Sequence, residues 1–437
     1  MLESTNPLSF STSQSALQSI QTSNLFTDPV NLNTFSSYGS SQSQIEDDLN
    51  SSLSYGSSLL PDDLNNSLSF GSSSNLPQTE SLTSSSYYAS ANPNPNPFLT
   101  NAAVFPDFNG DGKVDKVFHN VQTGENTIWL MDGTKVASSA SLPKLSSDWD
   151  SKIADFNGDG KTDFLLHNKS TGENQVLLMN GTTIAAQAAL PTLDGNWTPS
   201  IGDFNGDRNT DILWHNGKTG ENAVWLMNGT KATASALPTL DPSWTPTVAS
   251  FKGNGTTDIL WRNGKTGENS IWLMNGAQAT GSALPTLGTS WEPTITDVNG
   301  GLTSDILWRN KDTGENKLWT FNGTTPSESA LPTLSTAWKP LIGDFNGDGK
   351  TDVLWRNGST GENSVWLMNG KNVTSATALP TLASSWQPSV GDTNGDGKTD
   401  ITWRNYDTGE NSLWLMNGAT PSGSSLPTLS KEWVSVY

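Results

Sequence analysis

Cysteine is absent from the 437 residues, so no disulfide and no thiolate chemistry enters the account. That absence suits a bacterial or cytosolic chain better than a disulfide-stapled secreted one. Positive charge is scarce: 23 Lys and Arg stand against 43 Asp and Glu, for a net charge of −20. A chain this acidic repels nucleic acid and anionic membranes and attracts divalent cations, so nucleic acid is not an expected partner. Long apolar runs are missing too. No stretch approaches the ~18 apolar residues of a membrane span, so no membrane insertion is expected. The opening Met1-Leu-Glu-Ser-Thr-Asn-Pro7 has neither a basic region nor an apolar one, so no secretory signal is visible. Nor does any segment sustain a 3.6-residue apolar stripe, which predicts almost no helix.

Residues 1–97 are rich in Ser, Asn, Leu and Gln, and the segment before Asn101 carries eight acids with no Lys or Arg. They hold a loose repeat of their own, at Tyr38, Tyr55 and Phe70, each followed by Gly-Ser-Ser. Such a composition buries too little apolar surface to offset chain entropy, so residues 1–97 read as a disordered extension. Asn92-Pro-Asn-Pro-Asn-Pro97 reads as a stiff linker that closes it.

Residues 98–437 are an array. Thr-Gly-Glu-Asn begins at 123, 171, 219, 266, 313, 360 and 408, at spacings of 47 or 48. That period suits a four-stranded propeller blade. In one unit, Trp338-Lys-Pro-Leu-Ile-Gly343 reads as the first strand and Val353-Leu-Trp-Arg356 as the second. Ser364 to Met368 reads as the third strand and Val373 to Leu379 as the fourth. Hairpin residues lie at Asn357–Glu362 and Asn369-Gly370. The expected fold is all-β: a seven-bladed β-propeller of four-stranded blades, with short protected edges. The chain ends on Trp433-Val-Ser-Val-Tyr437, the start of an eighth unit. This tail is expected to pair beside the first blade and lock the ring.

All 18 tryptophans fall in three repeated columns. One leads each first strand, from Trp149 to Trp433; one lies on second strands, as at Trp261 and Trp355; one lies on third strands, as at Trp272 and Trp366. Burying a Trp removes ~200 Å² from water, roughly 5 kcal/mol gross. Wedges between blades are the expected role.

Between the first two strands of each unit lies an acidic nonapeptide, clearest at Asp344-Phe-Asn-Gly-Asp-Gly-Lys-Thr-Asp352. Oxygen-bearing side chains fall at its first, third, fifth and ninth positions, and the carbonyl of the seventh can complete a ring of donors. Calcium takes six to eight such oxygens; Mg²⁺ or Mn²⁺ would accept the same donor type. An EF-hand would need a bidentate Glu at the twelfth position, where Trp355 stands. Four loops keep every position: Asp107, Asn109, Asp111, Lys113 and Asp115; Asp155, Asn157, Asp159, Lys161 and Asp163; Asp344, Asn346, Asp348, Lys350 and Asp352; Asp392, Asn394, Asp396, Lys398 and Asp400. The third loop keeps Asp203, Asn205, Asp207, Asn209 and Asp211 but has Arg208 in place of Gly, and is expected to bind less tightly. The fourth has Ser250, Lys252 and Asn254 before Asp258, and the fifth keeps Asp297, Asn299 and Asp305 but has Gly301 at its centre, so both are expected to bind the ion very weakly or not at all. Converging carboxylates repel one another without a cation, and Ca²⁺ at four or five sites is the expected cofactor, a brace rather than a reagent.

The repeated nonapeptide, followed by Ile-Leu-Trp-Arg-Asn as at 259–263, resembles FG-GAP/VCBS repeats. These are the units of the integrin α-subunit propeller and of some fungal and bacterial propeller lectins. The resemblance spans roughly residues 101–437. It implies calcium held between the first two strands of a blade and an extracellular or cell-surface setting, with a cytoplasmic one still open. Family members include adhesion proteins, lectins and some lyases, so the fold does not settle the function.

His119, His167 and His215 share one repeat column with Arg262, Arg309, Arg356 and Arg404, and are expected to be structural, pairing with a neighbouring blade's Glu. Nearly every ionisable side chain has echoes round the array, whereas catalysis needs one asymmetric cluster. No catalytic residue is therefore expected, and the chain reads as a non-catalytic, multivalent binder of glycans or proteins. Two alternatives stay open. One is a polysaccharide lyase using Lys252 and Arg262, where the repeat breaks down. The other is an architectural scaffold joined through the acidic extension.

Overall fold

The structure, a computed structural model, describes residues 105–301 and 303–436. The extension at 1–97 and its linker lie outside the described residues. The described chain forms seven four-stranded antiparallel sheets and, among those residues, no helix. Blade 6 is representative: Trp338–Gly343, Asp352–Asn357, Asn363–Asn369 and Asn372–Leu379 pair in chain order. These are the four strands read from the repeat, each extended by a residue or less at its ends.

Blade 1 is the exception. Its own strands are Lys116–Asn120, Asn126–Asp132 and Lys135–Leu142, and its first strand is Trp433–Ser435 from the far end of the chain. Phe118 pairs with Ser435, His119 with Val434 and Asn120 with Trp433. The expected closure is present. Pairing the two ends in one sheet completes the first blade and closes the ring, leaving only the short outer edges of the blades.

First strands of neighbouring blades approach one another at the centre, whereas fourth strands alternate between exposed and half-buried residues at the rim. Second strands are buried throughout blades 2 to 7. The core is accordingly divided into seven apolar clusters, one at each blade interface. Leu260 of blade 4 packs with Trp308 and Trp319 of blade 5, and Leu354 of blade 6 with Trp403 and Trp414 of blade 7. Second- and third-strand indoles of one blade also meet at a tilt, as Trp355 and Trp366 do with centroids 5.2 Å apart and planes at 58°. The Trp columns are the wedges. Offset and tilted ring pairs of this kind add a favourable quadrupole term to the burial.

Arg262, Arg309 and Arg356 each stack on the second-strand Trp of the next blade, at 5.0 to 5.1 Å. His167 and His215 meet Trp214 and Trp261 edge-on in the same way. This corrects the expected Glu pairing. Arg356 donates instead to Asn363 Oδ1 and to the carbonyls of Gly361, Ala383 and Trp386. The two terminal nitrogens of the buried guanidinium are held by an amide oxygen and backbone carbonyls, and its plane by the face of an indole, an arrangement Arg's planar fork suits, while Nε of Arg356 has no acceptor among the described residues. In the histidine blades Asn174 spends its amide N–H groups on Gly172 and Pro191, so its oxygen faces His167 Nδ1 at 2.8 Å.

Candidate metal centres on the loop face

The seven acidic loops and the turns between third and fourth strands share one face of the ring. Each loop is bonded to the next. The eighth-position N–H of one loop donates to the first-position carbonyl of the loop before it: Thr162 to Asp107, Thr210 to Asp155, Thr257 to Asp203, Ser304 to Ser250, Thr351 to Asp297, Thr399 to Asp344, and Val114 to Asp392. The last of these crosses the closure. In blade 6 the packing at this junction is close enough that a Cβ on Gly343 would lie 2.5 Å from the Thr399 side chain, whereas Ala154, Ala249 and Thr296 occupy the same place in blades 2, 4 and 5.

Within the blade 6 loop, Asp344 Oδ1 accepts N–H bonds from Gly347 and Asp348, and its Oδ2 accepts one from Gly349. Asn346 Oδ1 accepts from the Asp348 N–H, and Asp348 Oδ1 from the Lys350 N–H. Gly347 and Gly349 take φ of 76° and 78°, the left-handed region that glycine enters without a steric penalty. In loop 3 that second position is Arg208, the one non-glycine residue with positive φ among those described, at 73°. Its N–H still donates to Asp203 Oδ2, so the loop keeps its shape against a strained backbone.

The ninth-position aspartate does a different job. Asp352 is fully buried, with Oδ2 accepting the N–H of Phe345 and Oδ1 the N–H of Met368 on the third strand. The same pair of bonds recurs at Asp115, Asp163, Asp211, Asp258 and Asp305. One carboxylate thus ties a loop to a strand. Burial pushes the carboxyls of Asp115, Asp163, Asp211 and Asp352 up to about 7, against the pull of those N–H groups, and the acids at positions one and five add to the rise. Asp400 is pushed up to about 6 by the same burial.

Among the described residues, no three or more acidic, histidine or cysteine side chains gather closely enough to hold a metal ion by themselves. N–H bonds inside the loop link the oxygens of positions one and three through the backbone of position five, while the buried aspartate at nine faces the backbone of position two and of the third strand. An all-oxygen set is the donor type a hard cation takes, and the fifth-position carboxylate keeps lone pairs beyond its N–H bond, whereas Asp344 Oδ1 already accepts two. The seventh-position side chains turn away or back: Lys113 to Asp132 at 2.6 Å, Lys161 to Asn180 at 2.7 Å, and Lys350 and Lys398 to the fifth-position aspartates at 3.8 Å. Asn209 donates to Asp207.

Loop 4 differs. Its third position is Lys252, whose ammonium lies 3.3 Å from Asp258 Oδ1 and donates to the Met274 carbonyl. A cation from the chain itself therefore stands beside the buried aspartate. Burial still raises Asp258, but Lys252 pulls it back. In loop 5 burial together with the charge of Asp305 pushes Asp297 up to about 7, and burial raises Asp305 to about 6 against the pull of the Phe321 and Val298 N–H groups and of Lys371. Arg262, the second residue considered for lyase chemistry, is engaged with Asn269 and with the carbonyls of Gly267 and Gly288.

Sequence reasoning missed Lys116. It stands where blades 2 to 7 have Phe164, Ile212, Ile259, Ile306, Val353 and Ile401, and it is buried at the closure, donating to Ser389 Oγ at 3.1 Å. Burial draws it down to about 8. Its substitution at an otherwise apolar repeat position was the available signal.

The model of the FG-GAP-like repeat matches residues 107–166, 155–214, 297–355 and 344–403, each span running from one acidic loop through the second strand of the next blade. The unmatched stretch between 214 and 297 contains the Lys252 loop. No curated protein matches this chain. Solved structures similar to it include a post-proline cleaving enzyme from Rickettsia typhi, at 10% identity over 72% of this chain and 54% of that one, with a TM-score of 0.47. A functionally unknown protein from Desulfotomaculum acetoxidans is similar at 11% identity over 72% and 99%, TM-score 0.44. A putative 6-phosphogluconolactonase from Bacteroides fragilis is similar at 12% identity over 75% and 97%, TM-score 0.44. On its repeats and its seven sheets together, the chain is an FG-GAP repeat propeller protein.

Proposed function

We propose that this propeller is a non-catalytic binding module, braced by calcium, that recognises glycans or protein partners at a cell surface or matrix. The observation that carries the reading is the contrast among the loops. Five hold the same oxygen donors on one face, loop 5 lacks the central one, and loop 4 carries an ammonium beside its buried aspartate. A bound Ca²⁺ would supply the counter-charge that Lys252 supplies in blade 4. The first, third and fifth side chains, with the ninth-position carboxylate, would hold it, and the loop-to-loop hydrogen bonds would pass its rigidity round the ring.

The non-catalytic part rests on repetition. Each Thr-Gly-Glu-Asn hairpin presents a Glu, exposed in five blades and half-buried at Glu125 and Glu221, beside a buried Asn on the other face, and such similar sites suit a repetitive ligand through avidity. Thermal melts in chelator and in millimolar Ca²⁺, followed by a glycan array in both conditions, test the two halves separately. Identical melting curves would remove the brace. A calcium-dependent fold that retained no glycan and no protein partner would remove the binding role.

A further inference from the structure

The sequence contains sixteen Asn-Gly dipeptides, all of them in the propeller: six in third-to-fourth-strand turns, seven in acidic loops and three in second-to-third-strand hairpins. Asn-Gly is the pair most open to spontaneous deamidation, because the glycine has no Cβ to hinder ring closure. The reaction needs the glycine nitrogen itself. That nitrogen attacks the Asn side-chain carbonyl carbon, ammonia leaves, and the resulting succinimide is opened by water to aspartate or isoaspartate. Nothing is oxidised or reduced. A glycine N–H already donated to an acceptor is held away from this attack.

In this fold almost every such N–H is held. In the acidic loops, Gly110, Gly158, Gly206, Gly347 and Gly395 donate to the first-position aspartate, and Gly300 donates to Asp297. Gly255 is engaged as well. In the hairpins, Gly217, Gly264 and Gly358 donate to carbonyls of the preceding connection. In the turns, Gly181, Gly229, Gly276, Gly370 and Gly418 donate to the second-position carbonyl of the previous blade's acidic loop, at 2.7 to 2.9 Å. The turn of blade 5 breaks the series. Its Gly323 would meet Phe251, in the loop that carries Lys252, and among the described residues its N–H has no acceptor. Asn322 is exposed, and around the Cβ position of Gly323 there is open space.

We infer that Asn322-Gly323 is the deamidation site of this protein, left open because the divergent loop of blade 4 does not tie down the turn of blade 5. Conversion adds a carboxylate to the loop face at that junction. The isoaspartate form also adds a methylene to the backbone of a tight turn.

The full-length protein is aged at mildly alkaline pH in heavy-oxygen water, digested, and mapped by mass spectrometry, with ammonia release followed in parallel. Oxygen-18 incorporation separates conversion during ageing from conversion during sample handling. Asn275 and Asn369, in equally exposed turns with the glycine N–H donated, are the internal controls. Asn322 is expected to convert about five- to tenfold faster than either, the rate equivalent of one backbone hydrogen bond. N322Q is expected to abolish most of the early ammonia release. Equal rates in the three turns, a different leading site, or no conversion over the same period would each overturn the assignment.

Discussion

Blades 4 and 6 turn the same corner with opposite electrostatics. In blade 6, Asp344 and Asp352 are buried together and Asp348 stands over them, with no cation on the chain closer to that group than Lys350 at 3.8 Å from Asp348. In blade 4, Ser250 and Asn254 replace two acids and the ammonium of Lys252 sits 3.3 Å from Asp258. The backbone is alike in both: Phe251 and Phe345 donate to the ninth-position aspartate, and Met274 and Met368 do so from the third strand. The fold therefore requires the ninth aspartate everywhere. What varies is the source of its counter-charge.

That comparison can be broken most severely at the shared residue. Asp258→Ala removes two acceptors from buried N–H groups and strands Lys252, so a loss of about 3–5 kcal/mol is expected in urea unfolding. Asp352→Ala in blade 6 strands no cation, and about 2–4 kcal/mol is expected from its two orphaned donors. Equal losses would mean that Lys252 contributes nothing to blade 4.

The next effect is on pH. Carboxyls whose folded pKa is raised from 3.8 to about 7 bind their proton more tightly in the folded state. Their contribution is fully present below pH ~3.8 and is lost as pH rises through ~7. In chelator, urea midpoints should therefore fall as the buffer moves from mildly acidic to mildly alkaline, with added Ca²⁺ abolishing the slope. A flat profile in chelator would contradict the burial of four aspartates.

Smaller again is the increment from one ion. At ten times its dissociation constant each Ca²⁺ should add ~1.4 kcal/mol, so D348N should lose that much of the calcium response while K252M loses none of it. A blade 4 variant carrying S250D, K252N and N254D should gain one further calcium equivalent in titration calorimetry. The smallest effect belongs to Arg208→Gly. Relief of its left-handed backbone should raise stability by about 1 kcal/mol and tighten calcium at loop 3.

Much of this fold was legible because its information is local and written seven times. The Trp columns fixed the strand register, and the fragment from Trp433 announced the closure before any pairing was seen. The loop corners were legible for the same reason, since the glycine pairs mark the left-handed turns the backbone takes there. What stayed hidden crosses a blade interface or depends on reach. No spacing shows that the Arg column donates to backbone carbonyls and stacks on the next blade's indole. Lys252 reads as a lost ligand, and only its extended side chain reveals a replacement for one. Lys116 is one letter among apolar echoes, and its partner Ser389 lies at the other end of the chain.

The sheet shared by Trp433–Ser435 and Lys116–Asn120 also has a consequence for biosynthesis. Six blades can be completed in order as the polypeptide emerges from a ribosome, but the earliest one must wait, with an unsatisfied strand edge, until the segment from Trp433 has been translated. During that interval the edge is a template for any foreign strand, including the same segment of a neighbouring nascent molecule. Conditions that slow translation of the later blades or crowd translating ribosomes should thus favour strand-exchanged assemblies over closed rings.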